Sequence, residues 1–288
     1  MPLDRHVTED EMSRIDAAVF SSDIWTDGHV ASFMKVVVQA PRLEWLQMFS
    51  AGLDNPVFAM LRDKGVLVTH AAGSSGVPIA HTVMMHIVAM CRGSRELHVA
   101  QGEHRWDARD VDDVEGRTVG IVGLGGIGAH VARLATAFGM RPIGLRRTPT
   151  GDEPCETWPT SRLHDLLPIV DDLVLTAPLT DETRGMIGAA ELAALRPGAH
   201  LVNVARGELI DESALVEALR SGRLGAAALD VFSTEPLPAD SPLWDMPTVT
   251  VTPHSAGATP LAADRAAAIF LDNLGRWHRG ETLVNLGP

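Results

Sequence analysis

Short apolar runs alternate with stretches of helical periodicity along almost the whole chain. That alternation is the pattern of a parallel sheet covered by helices. In the first third, Ala17–Phe20, Leu43–Phe49 and Val66–Thr69 read as strands, and the segments near Ala31–Val38 and Asn55–Arg62 as helices. No convincing apolar strand precedes Ala17, so the sheet of this part is expected to be reduced. A long helix is expected from about Pro78 to Val99. Val83, Met84, Ile87, Val88 and Met90 nearly encircle it, too many apolar faces for a surface helix. It is therefore expected as a buried connector between two lobes, with Met84, Met85 and Met90 as core filler.

From Thr118 the pattern repeats: Thr118–Val122, Arg141–Leu145, Asp172–Thr176, Leu201–Ala205, Ala226–Phe232 and Val249–Thr252 would give six strands. Helices are expected at Ala129–Phe138, Ala189–Ala194 and Glu212–Ser221, and a last helix, Leu261–Arg279, is expected to return to the first lobe. Six parallel strands with a glycine turn after the first form the doubly wound, Rossmann layout of dinucleotide-binding domains. The turn is Gly123-Leu124-Gly125-Gly126-Ile127-Gly128. A lone GxGxxG is often only a turn, but here an apolar strand precedes it and an amphipathic helix follows. Glycines there permit the tight turn and the approach of a pyrophosphate to the N–H groups of the helix start.

Three polar residues follow apolar strands: Arg206, Glu235 and His254. Ligands of open α/β sheets lie outside the carboxyl ends of the strands, so the three are expected in one cleft. A guanidinium, a carboxylate and an imidazole together can hold an anion and move a proton near neutral pH. Each alone has a plainer reading, as a surface ion pair, a loop former and a packing residue. Most of the remaining histidines, His86 and His98 among them, read as packing or surface residues, while His70, His81 and His104 are expected near the cleft or its rim.

Composition narrows the function. The 288 residues are natural for two lobes around a cleft, and the formal net charge of −13 disfavours a nucleic-acid partner, which needs clustered Lys and Arg. No apolar run approaches a membrane span, and the charged first residues do not look like a signal peptide. Two cysteines, Cys91 and Cys155, provide neither a disulfide framework nor a metal spacing, so no metal is expected and the cytoplasm is the expected compartment. Tyrosine is absent, which excludes a catalytic phenol.

With these pieces placed, the chain resembles the D-isomer-specific 2-hydroxyacid dehydrogenases, glyoxylate/hydroxypyruvate reductases among them. The resemblance is carried by VGIVGLGGIG (119–128), LTAPLTDET (175–183), LVNVARGELID (201–211), ALDVFSTEP (228–236) and TPHSAG (252–257). It implies a Rossmann cofactor domain over residues 94–265 and a smaller flavodoxin-like α/β substrate domain, shortened at its amino end, over 1–93 and 266–288. By the same resemblance Arg206 would bind the substrate carboxylate and carbonyl, His254 would be the acid/base and Glu235 its partner. Backbone N–H groups of Ala51 and Gly52 would hold the substrate anion. Asp230 would contact the nicotinamide carboxamide. Gly123, Gly125, Gly126, Ile127, Gly128, Pro178, Thr183, Ala205 and Gly257 would complete the cofactor site, and the chain would form a homodimer. One departure is Ala80-His81, where the family usually has Ala-Glu. The implied reaction is hydride transfer between a nicotinamide cofactor and a small 2-keto or 2-hydroxy acid. A nicotinamide-binding, corepressor-like regulator with little turnover is the alternative.

The cofactor preference has a local signal. Recognition of NAD usually places an acid at the end of the second strand. Here that strand runs into Arg146-Arg147-Thr148, and the nearest following acid is Asp152. Two guanidiniums and a hydroxyl suit a 2′-phosphate, so NADP(H) is expected to be preferred, with NAD(H) also usable.

Overall fold

The apolar runs form two separate parallel sheets in the computed structural model, which describes residues 7–21, 23–24, 27–50, 52–53 and 55–287. The chain packs as two units. One comprises the described residues up to Ser75 and from Ala258 onward, the other Gly76–Gly257.

In the first unit, a short helix α1 (Glu9–Met12) precedes β1 (Ala17–Phe20), α2 (Val30–Gln39), β2 (Trp45–Met48), α3 (Pro56–Asp63) and β3 (Leu67–Thr69). The sheet order is β1-β2-β3, all parallel. Strand β2, Trp-Leu-Gln-Met, is the central strand and is buried along its whole length, Gln47 included. Helix α3 starts where Asn55 accepts a hydrogen bond from the N–H of Val57 and Pro56 supplies a preset first turn.

The second unit opens with helix α4 (Gly76–Cys91) and helix α5 (Ser94–Gly102). The single helix expected over Pro78–Val99 is thus two. Gly93 takes the left-handed conformation, φ 59°, which ends one helix and starts the next. Helix α4 has a buried face formed by Ala80, Val83, Met84 and Ile87, but Met85 is 56% exposed and so is not core filler.

Seven strands then follow rather than six: β4 (Thr118–Val122), β5 (Arg141–Arg146), β6 (Glu156–Pro159), β7 (Asp172–Leu175), β8 (Ala199–Asn203), β9 (Leu224–Leu229) and β10 (Val249–Val251). Their order is β10-β9-β8-β7-β4-β5-β6, all parallel. Strand β6, Glu-Thr-Trp-Pro, carries no apolar run and ends in proline. Both are tolerated because it lies at the sheet edge.

Helices α6 (Gly126–Ala137), α7 (Leu163–Leu166), α8 (Ala189–Ala194) and α9 (Glu212–Arg220) connect the strands. The last helix, α10 (Pro260–Arg279), belongs to the first unit. There Phe270 stacks on Trp45 at 5.7 Å, and buried Asn273 donates to Gln47 at 3.0 Å. The resemblance implies domain boundaries at 93/94 and 265/266. In the packing they fall at 75/76 and 257/258, because α4 shares a core with Val119, Ile121 and Val131 of the second unit.

Candidate active site

Strand order reverses between β4 and β7, the two strands on either side of the point where a doubly wound sheet opens a crevice. The two strand exits are laced together there. Gly123, φ 102°, follows β4 so closely to the chain after β7 that a Cβ on it would lie 2.4 Å from the backbone nitrogen of Ala177. Thr176 Oγ1 donates to the Gly123 carbonyl at 2.7 Å. Gly128 packs equally tightly: its Cβ would meet the Gly123 carbonyl oxygen at 2.4 Å.

Gly125 and Gly126 are exposed and face open space. Helix α6 begins at Gly126 without a side-chain cap, so its first N–H groups point outward with no hydroxyl or carboxylate over them. An anion with two or more oxygens fits this cradle.

Three strands along the same edge lead to the polar residues singled out by the sequence. Strand β8 leads to Arg206, β9 to Asp230 and Glu235, and β10 to His254. These strands are adjacent and parallel, so their exits share one side of the sheet. His254 Nδ1 stands 2.8 Å from Glu235 Oε2. The other oxygen of Glu235 accepts from the N–H of Phe232 at 3.0 Å, so both ends of the carboxylate are fixed. His254 itself is about half exposed, with its backbone left-handed at φ 51°. With Nδ1 committed to the carboxylate, Nε2 is the nitrogen able to exchange a proton with a ligand.

Arg206 is half-buried and donates from Nη1 to the carbonyl of Ala205 at 2.6 Å. Its backbone is set by Asn203, whose amide donates to the Arg206 carbonyl at 2.8 Å and accepts from the N–H of Ala205 at 3.1 Å. Next to it Gly207 lies against the segment leading to Glu235: a Cβ there would come within 1.9 Å of the carbonyl carbon of Phe232. Glu212, at the start of α9, accepts from the N–H of Ser233 at 2.7 Å. Asn203, Gly207 and Glu212 were not among the expected site residues. A buried amide in an otherwise apolar strand was the signal available for Asn203; contact across two loops leaves none for Glu212.

The remaining expected residues take distinct places. Asp230 is buried at the end of β9, and Ala205 is buried after β8. Thr183 Oγ1 donates to the carbonyl of Pro178 at 2.7 Å, closing the loop after β7. Ile127 lies in the first turn of α6, and Gly257 ends the second unit. In the first unit, Gly52 is half-buried and its carbonyl accepts from Ser50 Oγ at 3.2 Å; Ala51 lies outside the described residues. Exposed His81 lies on α4. His86, also on α4, is buried, and burial lowers its pKa against the opposing pull of Asp230.

Arg146 is the last residue of β5, and Arg147 and Thr148 follow it. Arg147 is exposed and pairs with exposed Glu182 at 3.0 Å. Arg146 Nη1 reaches Thr150 Oγ1 and Glu153 Oε1, both at 3.3 Å. Glu153, one residue beyond Asp152, has its carboxylate tucked into the loop. It accepts from the N–H groups of Thr150 at 2.6 Å and Gly151 at 2.8 Å. Those bonds, the one from Thr150 first, hold its pKa down at about 2.

Among the described residues one group of possible metal ligands gathers, Cys91, Asp172 and His200, at the opposite edge of the sheet. Arg117 occupies it, bonded to both oxygens of Asp172 at 2.9 and 3.2 Å. Burial, with the charge of Asp172, pushes the Cys91 thiol up to about 11. A neutral thiol beside a guanidinium makes this a structural ion network.

Residues 84–256 match the family model of the D-isomer-specific 2-hydroxyacid dehydrogenase NAD-binding domain. The chain is 36% identical over 286 residues to glyoxylate/hydroxypyruvate reductase B of Pectobacterium atrosepticum, covering 94% of this chain and 88% of that protein. It is 34% identical over 256 residues to D-3-phosphoglycerate dehydrogenase of Methanocaldococcus jannaschii, covering 87% of this chain but spanning only 48% of that protein's length. Among solved structures it is similar to the NADPH-dependent glyoxylate/hydroxypyruvate reductase of Sinorhizobium meliloti in complex with NADP and sulfate, with a TM-score of 0.82 and 30% identity over 97% of this chain and 87% of that one. With the glycine turn at the switch point and the His254–Glu235 pair on the same sheet edge, the chain belongs to the D-isomer-specific 2-hydroxyacid dehydrogenases, a family of NAD(P)-dependent oxidoreductases.

Proposed function

We propose that the protein reduces a small 2-keto acid to the D-2-hydroxy acid, with NADPH as the preferred cofactor. The observation that carries this reading is the His254 Nδ1–Glu235 Oε2 contact of 2.8 Å on the sheet edge that also presents Arg206. The reduced nicotinamide, when bound, supplies the hydride. The glycines at 123, 125, 126 and 128, with Ile127, would hold its pyrophosphate against the start of α6. Pro178, Thr183, Ala205, Asp230 and Gly257 would flank the rest of it.

Arg206 binds the substrate carboxylate through charge-assisted hydrogen bonds and draws electron density from the neighbouring carbonyl. His254 donates its Nε2 proton to the carbonyl oxygen as C2 receives the hydride, so the product is a neutral hydroxyl and a neutral imidazole. Glu235, accepting from Nδ1, keeps that nitrogen protonated throughout and turns Nε2 towards the ligand. The half-exposed ring then regains its proton from solvent.

Arg146 and Arg147 would receive the 2′-phosphate of NADPH, with exposed Thr148 beside them. The Sinorhizobium reductase, NADPH-dependent by its description, supports that preference. Arg146 is expected to contribute more, because Thr150 and Glu153 hold it in place whereas Arg147 reaches only the exposed Glu182. One charged hydrogen bond of about 1.5–3 kcal/mol corresponds to roughly a tenfold or larger preference. A panel of 2-keto acids including glyoxylate and hydroxypyruvate, assayed with NADPH and NADH, tests the whole reading. Absence of turnover with every acid would leave the corepressor-like alternative. Equal use of the two cofactors, or an unchanged ratio in Arg146→Ala/Arg147→Ala, would overturn the phosphate assignment.

The protein is also proposed to be a cytoplasmic homodimer. Trp106 supports the dimer: it is 96% exposed in the segment just before β4. A monomer mass in light scattering across working concentrations would contradict it. Two free cysteines, one of them buried, are in keeping with a reducing compartment.

A further inference from the structure

We infer that Asp230 and Thr252 form a clamp that positions His254 for proton transfer. The inference deepens the reading of His254 as the proton donor, and it assigns Asp230 work separate from any contact with a cofactor.

The observations are local and mutually consistent. Among the described residues His254 is one of three other than glycine with positive φ, at 51°. That conformation crowds an L side chain and must be held by its surroundings. The chain on either side of it is tied to one carboxylate. Asp230 Oδ1 accepts from Thr252 Oγ1 at 2.5 Å and from the N–H of Ser255 at 3.0 Å, while Oδ2 accepts from the N–H of Ala256 at 2.9 Å. The backbone carbonyl of Asp230 accepts from the N–H of His254 itself at 2.8 Å. Four bonds from a single residue thus span Thr252 to Ala256.

Asp230 is in turn anchored from behind. Only 2% of it is exposed, and its own N–H donates to the Asn203 carbonyl at 3.0 Å. Asn203 is the residue whose side chain also fixes the backbone of Arg206. One buried carboxylate and one buried amide, side by side on neighbouring strands, therefore set the two loops bearing the guanidinium and the imidazole. A carboxylate suits the place because all three of its partners are donors. An amide would turn an N–H towards one of them.

Thr252 is the member of the clamp to perturb, since its hydroxyl has a bonding role here and no place in the chemistry. Thr252→Val keeps the shape and removes the hydroxyl; Thr252→Ser keeps the hydroxyl. In Thr252→Val, kcat is expected to fall about tenfold or more, the effect of losing a bond to a charged group. Cofactor affinity, read by nucleotide fluorescence titration, is expected to stay within about twofold. The downfield proton resonance of the His254 Nδ1–H, identified by its loss in His254→Gln, is expected to weaken, and Thr252→Ser to restore both rate and resonance.

Unchanged kcat and resonance in Thr252→Val would overturn the clamp. So would a loss confined to cofactor affinity, and so would a crystal structure of the variant with φ of His254 still positive and Nδ1 still on Glu235. If Thr252→Val does not fold, Thr252→Ala is read in the same way. Should the wild type turn over no 2-keto acid, the proposed reaction fails, while the resonance and the crystal structure still decide the clamp.

Discussion

Gly207→Ala adds one methyl group where the loop after β8 touches the loop after β9. Gly207 is buried, and its φ lies outside the left-handed region, so the constraint is space alone. The new Cβ would stand 1.9 Å from the carbonyl carbon of Phe232, 2.3 Å from its oxygen and 2.3 Å from the nitrogen of Ser233. These are backbone atoms and cannot rotate away. Ordinary contact begins near 3.4 Å, so the loops must part by about 1.5 Å. Arg206 is on one of these loops, and Glu235, which holds His254 Nδ1, on the other.

A misplacement of about 1 Å between groups that act together costs on the order of 10²-fold in rate. Overpacking of a tight site costs roughly 1–3 kcal/mol of stability. The expected result is therefore a folded, less stable protein whose kcat with its best 2-keto acid is down about a hundredfold. Cofactor affinity should change much less, because the glycine turn after β4 is not displaced. The assay is steady-state oxidation of the reduced nucleotide, with thermal melting alongside. A variant that keeps wild-type kcat and melting temperature would refute the claim that this contact sets the spacing of the site.

Other perturbations probe single links of the same argument. Arg206→Lys should raise KM and lower kcat together, because an ammonium cannot reproduce the planar fork of donors; near-normal kinetics would make Arg206 structural. Glu235→Gln should lower kcat about tenfold or more, since an amide no longer fixes the tautomer and orientation of the His254 ring; unchanged kcat would argue against the pair. Glu153 is held at about 2 from a reference of 4.5. Its contribution to stability is therefore present above the unfolded value and lost as pH falls through about 2. The difference in melting temperature between wild type and Glu153→Gln should be widest near neutral pH and close in strong acid; a pH-independent difference would remove Glu153 from the stability of the Arg146 loop.

Much of the architecture was legible in local pattern. The strands of the second unit, from Thr118 to Val251, announce themselves as apolar runs because a parallel sheet is covered on both faces, and burial on both sides leaves no polar alternation to confuse them. Strand β6 was not legible: an edge strand needs neither apolar faces nor free N–H groups, so Glu156–Pro159 looks like a loop. The break at Gly93 was hidden for another reason. A glycine within helical periodicity is tolerated as often as not, and only its neighbours settle whether the chain turns there.

For the site, the sequence by itself determined which chemical groups are available and on which strand exits they stand. Gly123 to Gly128, Arg206, Glu235 and His254 follow apolar runs, and the rule that parallel strands point one way places them along one edge. Tertiary structure alone decided how they are held. The bonds of Asp230 to Thr252, Ser255 and Ala256, of Glu212 to Ser233, and of Glu153 to Thr150 and Arg146 depend on where loops meet after the strands have packed. Strands are specified by short-range periodicity. Contacts between loops arise from the register and spacing of separate strands, which no local pattern encodes.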